Sequence, residues 1–276
     1  MKFFLDSALL SEIEQAYSTG ICDGITMNPS LVKKAVDGLK ADGERIDLEK
    51  YIKKALKTAK GTPVSLEVTD IGTAKAMVEQ GKKLFKKFNP VAKNVYIKIP
   101  VNPAFDQNPG KDFDGIRAIN ELHKAKIPVN CTLVFTPEQA LAAAKAGADF
   151  VSPFAGRIDD MLRKEHSHEF AGFSKEDYYP LNGHMHEGKM LEDNGIVSGI
   201  DLVAQIVSIF RRYGIKSQVL AASLRNARQV REAAIVGADI ATMPFGVFRE
   251  LARHRLTVEG MKKFTEDTPE EFRKLV

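Results

Sequence analysis

The feature that most constrains this chain is the alternation of short β-rich runs with stretches of helical spacing. Eight runs rich in apolar and β-branched residues predict strands, and each is followed by loop or capping residues. The predicted strands span residues 3–6, 24–28, 64–68, 95–99, 129–134, 150–154, 218–223 and 240–243. The predicted helices span residues 10–18, 48–59, 72–88, 113–125, 137–146, 200–213, 227–236 and 245–254.

Eight strand–helix units in 276 residues indicate a closed parallel (β/α)8 barrel, with an open doubly wound sheet as the second choice. Barrels of about 250 residues commonly form one domain. No repeat or linker divides the chain, so we expect a single domain over residues 1–276. Residues 158–199 lengthen the connection after the sixth strand as an extended loop, and residues 257–276 indicate a charged terminal helix.

Composition excludes several classes of protein. With 44% hydrophobic and 28% charged residues, the chain is typical of a soluble globular protein rather than a disordered or low-complexity one. Its two cysteines, Cys22 and Cys131, make no disulfide framework. Asp6 interrupts the first apolar stretch too early for a signal peptide, and no run approaches a membrane span. We therefore expect a cytoplasmic protein without a membrane partner.

The charge pattern favours a small anionic partner. Forty basic residues against 36 acidic ones give a net charge of +4, which falls short of a nucleic-acid footprint. The densest basic run consists of Lys82, Lys83, Lys86, Lys87 and Lys93. Its spacing matches the outer face of a helix, which favours a solvated surface over an RNA or DNA site. We expect no nucleic-acid partner.

Polar residues end most of the predicted strands. In a parallel barrel, catalytic side chains lie at the carboxyl ends of the strands. Seven of the eight predicted strands carry a polar residue there, namely Asp6, Asn28, Glu67, Lys98, Thr132, Ser152 and Ser223.

Lys98 is the most informative of these residues. Strand alternation places it on the same face as Tyr96, and a central parallel strand is covered on both faces. Loss of solvent favours the neutral amine, which is the form that attacks a carbonyl carbon. Taken alone, Lys98 fits equally well a structural lysine that reaches past the strand end or pairs with a carboxylate.

Two carboxylates shift that balance. Barrel closure would direct Asp6 and Glu67 into the same cavity as Lys98, where they can exchange protons with a substrate hydroxyl or with water. Formation and collapse of an imine need such proton transfers. A purely structural ion pair remains open, but each buried charge costs several kcal/mol to desolvate. We therefore favour imine chemistry.

Six segments resemble a known family. They are residues 4–8 (FLDSA), 26–31 (TMNPSL), 95–100 (VYIKIP), 130–135 (NCTLVF), 151–157 (VSPFAGR) and 222–226 (ASLRN). In this order they resemble the transaldolase family, which includes the fructose-6-phosphate aldolases. The resemblance implies a (β/α)8 barrel, class I aldol chemistry through a lysine Schiff base with no metal or cofactor, and a homo-oligomer.

The resemblance also implies catalytic roles. Lys98 is the imine-forming lysine, and Asp6 is the acid–base group at the C4 hydroxyl of the substrate. Glu67 and Thr132 hold the catalytic water that relays protons.

Eight further residues have implied substrate-binding roles: Thr26, Asn28, Asn130, Ser152, Phe154, Arg157, Ser223 and Arg225. Asn28 and Asn130 hydrogen-bond the dihydroxyacetone part, with Ser152 nearby. The resemblance implies that Arg157, Ser223 and Arg225 bind the terminal phosphate. Guanidinium groups match phosphate oxygens, and a hydroxyl adds a donor.

Certain positions separate transferases from simple aldolases within this family. Glu67 and Phe154 resemble the transaldolases, whereas fructose-6-phosphate aldolases typically carry Gln and Tyr there; Ser152 and Arg225 also match the transaldolases. We therefore expect transfer of a dihydroxyacetone unit from sedoheptulose 7-phosphate or fructose 6-phosphate to an aldose phosphate, in the pentose phosphate pathway. A fructose-6-phosphate aldolase, or a transaldolase acting on a sulfosugar, is the alternative.

Four histidines raise a competing hypothesis of a zinc-dependent aldolase: His166, His168, His184 and His186. Their i, i+2 spacing is weak evidence, and no Cys or carboxylate signature completes the site. We favour loop histidines and expect no metal. A non-catalytic sugar-phosphate binder is a further alternative, which the intact lysine and two carboxylates disfavour.

Overall fold

Eight parallel strands close into a barrel in the computed structural model, which describes residues 1–41, 47–59, 61–103, 110–165 and 172–275. In chain order, the strands of the described residues, eight in the barrel and two outside it, are β1 (Lys2–Asp6), β2 (Gly24–Thr26), β3 (Val64–Glu67), β4 (Val95–Pro100), β5 (Val129–Val134), β6 (Phe150–Pro153), β7 (Met185–His186), β8 (Lys189–Met190), β9 (Gln218–Ala221) and β10 (Ile240–Met243). The order around the barrel is β1-β10-β9-β6-β5-β4-β3-β2, while β7 and β8 form a separate antiparallel hairpin. The predicted fold class is confirmed.

Helices alternate with the barrel strands and continue beyond the last one. They are α1 (Leu10–Ser18), α2 (Pro29–Ala41), α3 (Leu48–Thr58), α4 (Ala74–Ala92), α5 (Asp114–Lys124), α6 (Pro137–Ala146), α7 (Ala155–Glu165), α8 (Gly199–Arg212), α9 (Ala227–Val236), α10 (Phe245–Glu250), α11 (Arg255–Glu266) and α12 (Glu270–Arg273). Among the described helices, none combines the length and apolar character needed to cross a membrane.

The structure contains two helices, α2 and α7, that the sequence pattern did not predict. Helix α2 begins at Pro29, and Asn28 caps it by accepting a hydrogen bond from the Leu31 amide at 3.0 Å. An Asn followed by Pro is a helix-start signal that the sequence does contain. Helix α7 occupies residues 155–165, so the first part of the predicted loop over 158–199 is helical instead.

The carboxyl-terminal segment also differs from its prediction. It forms two helices, α11 and α12, and neither has a buried residue. Both carry large apolar side chains on the surface, including Leu256, Met261, Phe264 and Phe272. A charged helix is therefore an incomplete description, because this segment is amphipathic and exposes its apolar side.

The interior of the barrel is layered. On β4, Ile97 packs outward into the main core between barrel and helices, whereas Tyr96 faces the barrel axis. The Tyr96 ring stacks on Phe150 with 4.5 Å between ring centres, and Phe4 meets Phe150 edge-on at 6.0 Å. Because inward positions recur every second residue, Lys98 lies directly above this aromatic layer, toward the carboxyl end. The aromatic layer is the floor of the cavity described below.

A glycine makes room for this floor. A Cβ atom at Gly24 on β2 would lie 2.5 Å from the Phe4 ring, closer than real contacts allow. Any larger residue would displace Phe4 and with it the layer that supports Lys98.

The basic run lies where its spacing predicts. Lys82, Lys83, Lys86 and Lys87 are exposed on α4. Lys87 pairs with Glu49 of α3 at 2.5 Å, so an acid from a neighbouring helix partly neutralises the run.

Candidate active site

A cavity of about 500 Å³ lies at the carboxyl end of the barrel. Nine of the twelve predicted site residues line it: Asp6, Thr26, Asn28, Lys98, Ser152, Phe154, Arg157, Ser223 and Arg225. Grooves of about 960 and 750 Å³ elsewhere on the surface contain none of the twelve. The convergence of polar side chains therefore distinguishes the site better than cavity size does.

The inner end of the cavity is built around Lys98. Its side chain is only 4% exposed, and Nζ lies 3.2 Å from Oε2 of Glu67, which is 15% exposed. The two residues are direct neighbours in register on β4 and β3. Nζ also lies 5.7 Å from the centre of the Phe154 ring. Strand pairing thus places a buried amine beside one carboxylate.

Asp6 is held at this end by two threonines. Thr26 Oγ1 donates to Oδ1 of Asp6 at 2.6 Å, and the hydroxyls of Thr26 and Thr242 hydrogen-bond at 2.6 Å. Burial raises the pKa of Asp6, although the charge of Lys98 and the Thr26 hydrogen bond oppose that rise. Asp6 can therefore hold a proton at higher pH than an ordinary aspartic acid.

Glu67 contacts Lys98 but faces a different cavity. Burial raises the pKa of its carboxyl group, Lys98 opposes this, and the charge of Asp6 adds to it. Glu67 does not line the main cavity, but lines a smaller one of about 350 Å³ beside α2. Asn28 lines both cavities. Glu67 is therefore linked to the main cavity by its contact with Lys98, which lines that cavity.

Asn130 and Thr132 lie behind the cavity wall. Asn130 is fully buried, donates to Ser65 Oγ at 3.0 Å and accepts from Ser152 Oγ at 2.7 Å. Thr132 is 1% exposed, and its hydroxyl makes no hydrogen bond within the described part of the chain. Neither residue lines the cavity directly, so Asn130 reaches it only through Ser152.

The outer end of the cavity is basic. Arg157 lies in the first turn of α7, with its guanidinium carbon 5.2 Å from the centre of the Phe154 ring. Arg225 Nη2 pairs with Oδ2 of Asp160 at 2.5 Å. Arg157 and Arg225 thus stand on the two sides of one rim, from α7 and from the loop after β9.

Tight packing fixes the junction between those two elements. Ser223 has a left-handed backbone with φ of 62°, which costs a residue other than glycine about 1–3 kcal/mol. A Cβ atom at Gly156 would lie 2.1 Å from the carbonyl oxygen of Ser223. Only glycine allows this approach, which sets the start of α7 against the loop that carries Ser223 and Arg225.

Three charged or polar residues that line the cavity are not among the predicted site residues: Asp160, Lys175 and Thr242. Thr242 belongs to the one predicted strand without a polar end residue, and alternation from Ile240 would have identified it as inward-facing. Asp160 lies on the unpredicted helix α7. No sequence signal marks Lys175.

The histidines lie apart from this site. His184 and His186 are at the β7–β8 hairpin, where His184 Nδ1 lies 3.0 Å from the carbonyl of Met185. His166 and His168 fall outside the described residues. Across the described ranges, no three His, Cys, Asp or Glu residues are grouped so as to hold a metal ion.

Sequence comparisons with known proteins indicate one family. The chain matches the family model described as Transaldolase/Fructose-6-phosphate aldolase over residues 3–275. It is 40% identical over 267 residues to a probable transaldolase of Chlorobaculum parvum, covering 97% of both chains. A probable transaldolase of Chlorobium phaeobacteroides is 39% identical, covering 97% of this chain and 96% of the relative. A probable transaldolase of Thermoplasma volcanium is 37% identical, with 97% and 95% covered. The matched range includes every residue of the site.

Proposed function

The chain belongs to the transaldolase/fructose-6-phosphate aldolase family of enzymes, and on that basis we propose that it transfers a dihydroxyacetone unit from a ketose phosphate to an aldose phosphate. Fructose 6-phosphate and sedoheptulose 7-phosphate are the proposed donors. One observation carries the proposal. The buried Lys98 amine lies 3.2 Å from Glu67 in a cavity that has Asp6 at its inner end and two arginines at its outer end.

In the first step, Lys98 Nζ attacks the C2 ketone of the donor. The oxygen of C2 leaves as water, and an imine links C2 to Nζ. Glu67 accepts the proton that the amine loses, because it is the carboxylate in contact with Nζ. Thr132 supports the water that relays protons, since its buried hydroxyl has no other hydrogen bond within the described residues.

In the second step, Asp6 takes the proton of the C4 hydroxyl. The C3–C4 bond breaks, its electron pair moves into the imine, and the aldose phosphate leaves with C4 as its aldehyde carbon. The enamine stays on Lys98 until C3 attacks the aldehyde carbon of the acceptor. Asp6 then returns its proton to the new C4 oxygen, and water hydrolyses the imine. A raised pKa suits Asp6 because the group must both take and return a proton.

Substrate binding divides between the two ends of the cavity. Arg157, Ser223 and Arg225 bind the terminal phosphate, for which guanidinium groups and a hydroxyl supply donors. Asn28 binds the dihydroxyacetone end; its side-chain carbonyl caps α2, which leaves its amide NH2 to donate. Asn130 acts through Ser152, whose hydroxyl it holds.

A transfer assay tests this function. Fructose 6-phosphate is supplied with a four-carbon aldose phosphate, and the seven-carbon ketose phosphate and glyceraldehyde 3-phosphate are measured. We expect equal amounts of both products, and release of no more than about one equivalent of glyceraldehyde 3-phosphate per enzyme when the acceptor is omitted. Sustained release without an acceptor would identify an aldolase instead. The reverse assay supplies sedoheptulose 7-phosphate with glyceraldehyde 3-phosphate, and an enzyme that consumes neither donor in the two assays would refute the proposal.

We also propose that the enzyme is a homo-oligomer. Support comes from α11 and α12, whose apolar side chains Leu256, Met261, Phe264 and Phe272 are more than half exposed. Exposed apolar surface of this kind marks association sites. Sedimentation equilibrium should give a mass that is a multiple of 30.5 kDa, and a strict monomer at micromolar concentration would contradict the proposal.

A further inference from the structure

We propose that Lys175 binds the terminal anion of the substrate and makes the outer end of the cavity selective for a phosphate dianion over a monoanion such as a sulfonate. Lys175 lies in the connection between α7 and β7, outside all six segments that resemble the family. It lines the same cavity as Arg157 and Arg225. This inference rests on the proposed function, and it names the charge class of the substrate.

Lys175 is carried by a segment that we call the strap, residues 172–183. Tyr178 anchors the strap to α9: its hydroxyl donates to Glu232 Oε1 at 2.9 Å, and the guanidinium of Arg228 lies 3.4 Å from its ring centre. Tyr179 is 1% exposed beneath the guanidinium of Arg163 on α7. The strap is therefore fixed to both helices that flank the cavity.

Lys175 occupies a turn directly before these anchors. The Asp177 amide donates to the Ser174 carbonyl at 3.2 Å, and the Asp177 carboxylate accepts from the Ser174 amide at 2.7 Å. The carbonyl of Glu176 accepts from Asn226 Nδ2 at 3.0 Å, and that of Asp177 accepts from Arg163 Nη2. A fixed backbone thus presents the flexible side chain of Lys175 to the cavity, while the carboxylate of Asp177 is engaged in the turn.

The role proposed for Lys175 follows from the net charge of the residues that line the outer end of the cavity. Among the residues that line the outer end, Asp160 pairs with Arg225, so that pair contributes no net charge. The exposed carboxylate of Glu176 also attracts Arg225, but it does not line the cavity. Within the described chain, Arg157 and Lys175 have no carboxylate in ion-pair contact. These two lining residues leave the outer end with a net charge of +2. Without Lys175 it would be +1.

The expected ligand follows from that balance. A phosphate monoester carries a charge of about −1.5 to −2 at pH 7 and offers three acceptor oxygens. A sulfonate carries a single negative charge. The charge of +2 therefore matches the phosphate more closely, and removing Lys175 should reduce the preference.

Equilibrium binding measures the preference for phosphate over sulfonate separately from catalysis. Lys175→Gln and a control, Lys189→Gln, are each made in a Lys98→Met background, where no imine can form. Lys189 is an exposed residue of strand β8 outside the cavity lining, so its variant matches the charge change. Calorimetry gives the Kd of fructose 6-phosphate and of its 6-deoxy-6-sulfo analogue.

We expect the ratio of the sulfonate Kd to the phosphate Kd to fall about fivefold in Lys175→Gln, because the part of the contact that both anions share cancels and only the attraction for the second negative charge remains. Lys175→Arg should restore the ratio, and Lys189→Gln should leave it unchanged. An unchanged ratio in Lys175→Gln, or an equal fall in Lys189→Gln, would overturn the inference. These outcomes are independent of the transfer assay, so failure of the proposed function would be recognised separately.

Discussion

The two ends of the cavity are built differently. At the inner end, Lys98, Glu67 and Asp6 project from barrel strands, and the contact between Lys98 and Glu67 follows from strand register. At the outer end, Arg157 and Lys175 project from a helix and the strap and are exposed to solvent. At the inner end, burial removes water from the charged groups and so strengthens the electrostatic interactions between them. At the outer end, water screens the interactions of Arg157 and Lys175.

This difference separates two kinds of effect. Burial raises the pKa of both Asp6 and Glu67, and these raised values suit the proton transfers that we propose for the inner end. In the proposed reaction, contacts at the outer end hold the terminal phosphate, a part of the substrate that does not react. We expect substitutions at the inner end to lower kcat and substitutions at the outer end to raise KM.

The largest expected effect is that of Lys98→Met. Methionine keeps an unbranched side chain that is one atom shorter and lacks the nucleophile, so kcat should fall by roughly 10⁴ or more. Steady-state transfer from fructose 6-phosphate measures the loss, and circular dichroism checks the fold. A variant that kept a tenth of the activity would show that the inner end does not use Lys98.

The next effect is that of Asp6→Asn. Asparagine can still accept the Thr26 hydrogen bond but cannot take the C4 hydroxyl proton, so kcat should fall roughly 10²- to 10⁴-fold. Wild-type kcat should also decline on acidification, at a pH above the ordinary aspartate range because the pKa of Asp6 is raised. A decline in kcat that is centred near 3.8, the ordinary pKa of an aspartic acid, would argue against Asp6 as the base.

The same substitution should stabilise the protein at neutral pH. The folded state binds the Asp6 proton more tightly than the unfolded state, so the free energy of unfolding contributed by this group decreases as pH rises from 3.8 through the raised pKa. Asn removes that penalty. Urea unfolding should show Asp6→Asn more stable than wild type at pH 7.5 and nearly equal below pH 3.8. A less stable variant at pH 7.5 would contradict the assigned burial.

Arg157→Gln tests the outer end. Loss of one guanidinium should raise KM for fructose 6-phosphate roughly 10- to 100-fold with kcat within about threefold, because the contact is equal in ground and transition states. Adding salt should weaken binding by the wild type more than by the variant. If kcat instead fell as steeply as in Asp6→Asn, the division between the two ends would be wrong.

The smallest expected effect is that of Thr242→Val. Thr242 hydrogen-bonds Thr26, which in turn donates to Asp6, so its loss loosens the carboxylate without removing it. We expect a decrease in kcat of about threefold with KM unchanged, the cost of one hydrogen bond in a network. An altered KM with unchanged kcat would assign Thr242 to substrate binding.

The inner end could be predicted from sequence because its residues obey a simple rule. Asp6, Glu67 and Lys98 end strands, and parallel closure brings strand ends together. Thr242 on the last barrel strand obeys the same rule, although it is not among the predicted site residues. The rule cannot tell which side chains face the cavity and which lie behind its wall, as Asn130 does.

The outer end was less predictable because its contacts join distant segments. Asp160 meets Arg225 only because α7 packs against the loop after β9, and the prediction placed a loop where α7 lies. Lys175 depends on the anchoring of the strap, in which Tyr178 contacts Glu232. Such contacts leave no periodic signal in the sequence.

Trapping the proposed covalent intermediate tests the role of Lys98 most directly. The enzyme is incubated with fructose 6-phosphate and borohydride, digested, and analysed by peptide mass. We expect a reduced adduct on the peptide that contains Lys98, and none on that peptide in Lys98→Met. An unmodified Lys98 in an enzyme that transfers dihydroxyacetone, or a label on a different lysine, would contradict that role.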